Sequence, residues 1–112
     1  MSIALQRSES LALRELSLIL LKDSKNEYLK KITITEVRIK NDLSLMSIYY
    51  TFYTGKKEDY EKALEESKGY LRSSLAKKLK LRKMPDLLFI YDESLAYGNH
   101  IYDVLDKLKE NK

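Results

Sequence analysis

Pro85, the one proline of this chain, constrains the fold more than any other residue. Residues 61–94 around it read EKALEESKGYLRSSLAKKLKLRKMPDLLFIYDES. Upstream, Leu71, Leu75 and Leu79 recur every fourth residue, the spacing of one helical stripe. Downstream, residues 87–91 (LLFIY) form a short apolar run that fits a strand buried on both faces. Proline pushes the residue before it out of helical space, so the helix must stop before Pro85 and feed that strand. Gly69 interrupts the helix. A glycine inside an exposed helix costs about 1 kcal/mol relative to alanine. It marks either a tolerated small residue or a kink that re-aims the second half.

Charge changes at the same glycine. Glu61, Glu65 and Glu66 stand before it against Lys62. From 68 to 83 come Lys68, Arg72, Lys77, Lys78, Lys80, Arg82 and Lys83, with no acid among them. Ser73, Lys77 and Lys80 fall opposite the leucine stripe, so this charge projects away from the packing face, with Lys78 nearer the apolar edge. Lysine and arginine at that density attract phosphate backbones. The same pattern suits a solvated helix whose last turn carries bases, which the helix dipole favours by roughly 0.3–1 kcal/mol per charge. Charge alone does not choose between them.

The remaining elements follow from periodicity. Residues 2–21 read as a helix, with Leu5, Ala12, Leu13, Leu16, Ile19 and Leu20 on one stripe. Arg7 and Arg14 lie on its far side near Leu11 and Leu18, a candidate secondary contact surface. Residues 22–31 read as a polar connector. Residues 32–40 (ITITEVRIK) are a β-branched strand. Its alternation breaks between Ile34 and Val37, which calls for two half-buried faces or a bulge near Thr35 and Glu36. Asn41 and Asp42 supply a turn. Residues 45–54 form a second strand, with Met46, Ile48, Tyr50 and Phe52 on one face and Ser47, Tyr49, Thr51 and Tyr53 on the other. The exposed tyrosines could stack bases, though ordinary strand propensity accounts for them as well. Residues 94–109 read as a last helix with Leu95, Ile101, Leu105 and Leu108 inward. The order is α-β-β-α-kink-α-β-α: a three-stranded sheet covered on one face by helices, an α+β fold in one domain, 1–112.

Several function classes are disfavoured. There is no cysteine, so disulfides and thiolate chemistry are excluded. The one histidine, His100, has no partners for a metal cluster. Asp92 and Glu93 are adjacent acids whose simpler role is helix capping. No glycine-rich phosphate loop is present. We expect no catalytic residue, metal or cofactor, and no small-molecule substrate. No secretory signal and no apolar run near the ~20 residues of a membrane span is seen, so the expectation is a cytoplasmic protein away from membranes. A net charge of +4 suits an acidic partner.

The order and spacing of these pieces also resemble a known family. Glu15-Leu16-Ser17 with Ile19-Leu20, Lys22-Asp23, Ile32-Thr33-Ile34-Thr35-Glu36-Val37, Asp42-Leu43-Ser44 and Ile48-Tyr49-Tyr50-Thr51 match it in turn. The most specific run is Gly69-Tyr70-Leu71-Arg72, Leu75, Leu79, Leu81-Arg82, Pro85, Leu87, Phe89 and Asp92-Glu93-Ser94, extended by Gly98 and Ile101. The chain resembles the ribosome-binding factor A family. The resemblance implies a type II KH-like fold in which a helix-kink-helix with Ala-x-Gly replaces the GXXG loop of KH domains. Here the kink would be Ser67-Lys68-Gly69, with serine where the family has alanine, and the family's Asp-Pro after the first helix is Asp23-Ser24. It implies a monomer that binds free 30S subunits and 16S rRNA, supports maturation of the rRNA 5′ end, matters for growth in the cold, and cuts no RNA itself. The RNA contacts expected on the matching helix are Arg72, Lys77, Lys80, Arg82, Lys83 and Lys68. A KH-like module for another RNA, or a protein–protein adaptor, shares much of this pattern.

Overall fold

The computed structural model describes residues 3–22 and 25–93. The expected C-terminal helix, with Gly98, His100 and Ile101, and the Asp23-Ser24 junction lie outside the described residues. Helix α1 (Ile3–Lys22) comes first, followed by a single-turn helix α2 (Glu27–Lys30), strands β1 (Thr33–Ile39) and β2 (Leu45–Thr51), helix α3 (Lys57–Lys78) and strand β3 (Asp86–Tyr91). The sheet order is β1-β2-β3, with β1 antiparallel and β3 parallel to the central strand. The expected α+β architecture is the one found.

The inward faces of β1 and β2 form as the sequence predicts, and the broken alternation of β1 has a local cause. Ile34 pairs with Tyr50 and Glu36 with Tyr49, so Thr35 is an extra residue opposite no partner. That bulge resets the pleat, and Ile34, Val37 and Ile39 all point into the core. On β2, Met46, Ile48 and Tyr50 are buried. Three of the expected α1 stripe, Ala12, Leu16 and Leu20, are almost fully buried. From α3 come Tyr60, Leu64, Leu71 and Leu75. Truncating one of these leucines to alanine costs about 2–5 kcal/mol, because the cavity adds to the lost transfer free energy.

The polar chain between α1 and β1 is not a plain connector. Asn26 starts α2 by accepting the Tyr28 N–H at 2.8 Å, and Leu29 of that turn is buried. The signal was in the sequence as an N-cap asparagine followed by glutamate in the first turn. The expectation for β3 needs a larger correction. Leu87 is buried, but Leu88 is 41% exposed, so this strand buries one face. Its continuous apolar run had mimicked the two-sided pattern of an interior strand.

Around Gly69 the two expected half-helices are one element. Helix α3 continues through residue 69 without interruption of its helical assignment. It ends at Lys78, well before Pro85. The cause is the spacing of the next apolar residues. On a continued helix, Leu81 would rotate to the side opposite Leu79. Leu79 instead adopts an extended conformation (φ −88°, ψ 132°), which keeps Leu79 and Leu81 on the same side. Leu79 and Pro85 are buried, and Leu81 and Met84 pack against the core between them.

Candidate nucleic-acid interface

The basic residues split into two groups where α3 ends. Lys77 and Lys78 stand exposed in its last turn, so Lys78 does not pack as its position near the leucine stripe suggested. Lys80, Arg82 and Lys83 lie beyond the helix, in the loop that crosses to β3, and all three are exposed. The expected basic half-helix is therefore a helix end plus a basic loop. Between Leu79 and Pro85 the inward positions are apolar and the outward ones cationic, with no acid among them. The anchors hold the backbone against the core while the charged heads reach water, where they can meet an anion without first being desolvated.

Arg72 is drawn the other way. From the middle of α3 it donates from Nε to the Pro85 carbonyl at 3.0 Å and from a terminal nitrogen to the Met84 carbonyl at 2.6 Å. Asp86 lies 3.9 Å from Nε. The guanidinium that the sequence pointed at phosphate is thus engaged with the backbone at the end of the basic loop. Lys68 pairs with Glu65 one turn earlier, at 3.0 Å. Such a surface pair is worth about 0–1 kcal/mol, so it partly neutralises Lys68 without committing it. Ser67 is half-buried and Gly69 exposed. No atom lies within 4 Å of a Cβ built on Gly69, so nothing in the described structure requires glycine there.

Arg7 and Arg14 are exposed on α1, and Arg14 lies 3.8 Å from Glu15. Helix α1 packs on β1, at one edge of the sheet, while the basic loop leads into β3 at the other. The tyrosines expected on the second face of that strand are split: Tyr49 lies in β2 and is half-buried, while Tyr53 lies past its end and is 99% exposed.

Two carboxylates, Glu9, which the sequence left unassigned, and Asp92, read there as a helix cap, hold the sheet that carries the loop. Glu9, buried in α1, accepts the Ile39 N–H at 2.8 Å and so satisfies a donor on the edge strand. Asp92, just past β3, accepts the hydroxyl of the bulge residue Thr35 at 2.6 Å. This bond ties the end of β3 to the bulge of β1 across the sheet. Among the described residues, no group of three or more histidine, cysteine or acidic side chains is placed to hold a metal ion. No described helix is long and apolar enough to cross a membrane.

A mixed three-stranded sheet backed by two long helices, with a cationic loop leading into its parallel edge strand, defines a small basic α+β module. Comparison with known proteins makes the assignment specific. The sequence pattern of the family described as Ribosome-binding factor A matches residues 4–105. A ribosome-binding factor A of Macrococcus caseolyticus is 39% identical across 100% of both chains. That of Phytoplasma mali is 39% identical over 94% of this chain and 96% of its own. The crystal structure of ribosome-binding factor A from Thermus thermophilus superposes with a TM-score of 0.70 at 24% identity, covering 78% of this chain and 94% of that one. A Thermotoga maritima solution structure gives 0.58 at 26% identity, covering 76% and 83%. This chain belongs to the ribosome-binding factor A family.

Proposed function

We propose that this protein is a non-catalytic assembly factor of the small ribosomal subunit. It binds immature free 30S subunits through 16S rRNA, as a monomer in the cytoplasm, and supports late maturation of the rRNA 5′ end, most visibly in the cold. The observation that carries this reading is the basic loop: Lys80, Arg82 and Lys83 held outward between buried anchors and continued by Lys77 on α3. Family membership supports the ribosomal partner. A Thermus thermophilus ribosome-binding factor A, similar in fold at a TM-score of 0.63, has been fitted into a cryo-electron-microscopy map of its own 30S complex.

The mechanism follows from what lysine and arginine can do on a loop anchored to the core. They neutralise phosphates and release counterions, which gives affinity and register but little sequence information. Selectivity then comes from the shape of the rRNA that meets the loop. A protein that binds one rRNA conformation better than another shifts the population toward it, which is assembly without chemistry.

Co-sedimentation with free small subunits and with joined ribosomes across a salt series tests this. Salt-sensitive binding to free subunits, weaker on joined ribosomes, is the expected result. Substituting Lys77, Lys80, Arg82 or Lys83 singly by alanine should each lower the salt slope by about 1. Binding that ignores salt would favour protein docking instead, for which Leu18 and Leu21, 39% and 64% exposed on α1, offer an apolar surface.

A further inference from the structure

The basic loop has little backbone structure of its own. The Leu79 N–H still bonds back to the Leu75 carbonyl, and the Asp86 N–H reaches the Ser44 carbonyl of the neighbouring chain segment. Between those two points, among the described residues, the hydrogen bonds to the loop backbone are the two from Arg72, to Met84 and Pro85. Both come from one planar guanidinium, which fixes two successive carbonyls relative to α3 at once. Proline cannot donate a hydrogen bond, so the chain just before β3 is held through its acceptors. The Arg72 side chain is 43% exposed, yet Nε and one terminal nitrogen turn toward the protein.

We infer that Arg72 is a positioning residue: it clamps the 80–85 loop so that Lys80, Arg82 and Lys83 present a preformed phosphate-binding edge, and makes no phosphate contact itself. The inference rests on the basic loop being the RNA-binding element, as proposed above. Its physical content is preorganisation. A loop ordered before binding spares the complex the entropy of ordering three long side chains and their backbone. Losing the clamp leaves the loop's own cations available, so the number of phosphates neutralised stays the same while affinity falls.

Arg72→Lys and Arg72→Ala separate this from a direct contact. Lysine keeps the charge but cannot span two carbonyls with a planar fork. Under the clamp, both variants bind free 30S subunits about tenfold more weakly, with the wild-type salt slope. Hydrogen exchange on the free protein should quicken at the Asp86 amide, whose bond to the Ser44 carbonyl closes the loop, in both variants and stay unchanged in β1 and at the hairpin side of β2, which also shows that the variants fold. A direct phosphate contact gives a different result: near wild-type binding for Arg72→Lys, a slope lower by about 1 for Arg72→Ala, and unaltered exchange at Asp86. That outcome, or unchanged affinity in both variants, overturns the inference. If the wild-type protein shows no salt-dependent binding to 30S, the functional reading fails instead. The exchange measurement still judges the clamp on the free protein, where unchanged protection of the Asp86 amide rejects it.

Discussion

At the scale of single residues, the two described glycines make opposite predictions. Gly55 has φ +113°, and a Cβ there would lie 2.9 Å from the Tyr60 ring, whose hydroxyl donates to the Thr54 carbonyl. Gly55→Ala should cost more than about 1 kcal/mol in chemical denaturation, from both strain and contact. Gly69 has open space where a methyl would go, so Gly69→Ala should raise stability by about 1 kcal/mol. A loss of stability there would mean that the helix needs glycine for a reason not visible in its contacts. Two described groups titrate away from their ordinary values. Hydrogen bonds from the Ser44 hydroxyl and N–H hold the Asp42 carboxyl below its ordinary 3.8. A carboxyl with a depressed folded pKa stabilises above the unfolded value, so the turn it closes weakens as pH falls below about 4. Burial, with Glu61 nearby, pushes the Tyr50 hydroxyl up to about 12 from 10.0. Its neutral form is the one that suits the core. Its contribution is complete below 10.0 and is lost as pH rises from there toward 12, which thermal melts at alkaline pH would show, and Tyr50→Phe should flatten that decline.

At the scale of elements, legibility followed periodicity. The α1 stripe, the inward face of β2 and the Leu71, Leu75, Leu79 row could be read because each repeats at the period of its own secondary structure. The bulge could be read too, because a parity change inside a β-branched run has few physical causes. The end of α3 could not. Leu79 continues the helical row, and only Leu81 and Met84, competing for the same buried side, show that the backbone must extend there. The backbone contacts of Arg72 were illegible for a related reason. Charge density says nothing about direction, and the two carbonyls that capture its guanidinium lie twelve and thirteen residues away. Glu9 was silent because an acid on a helix ordinarily faces water. Its bond to the Ile39 N–H predicts that Glu9→Ala destabilises the protein by about 1–3 kcal/mol in urea unfolding, since a buried donor loses its acceptor. Glu9→Gln should cost less, because the amide oxygen can still accept.

At the scale of the whole molecule, the cations are unevenly placed. Arg7 and Arg14 stand exposed on α1, which packs on β1 and α3, while the basic loop leads into β3 at the other edge of the sheet. An RNA surface centred on the loop predicts that Arg7→Ala and Arg14→Ala together leave the salt slope for 30S binding within about 0.5 of wild type, while Lys80→Ala with Arg82→Ala lowers it by about 2. Equal losses from the two pairs would require a footprint that wraps the sheet from edge to edge.

The parallel pairing of β2 with β3 also sets an order of events during synthesis. The β1–β2 hairpin closes through neighbours in sequence and can form once residue 51 has emerged, whereas Leu45 must wait for Asp86. The loop acquires its shape only when that late pairing anchors its far end. A nascent chain still attached to its own ribosome would carry these lysines and arginines before they have a fixed arrangement. Grip on RNA would then arise with the final stage of folding, so that an unfinished copy is a poor competitor for the site a finished one occupies.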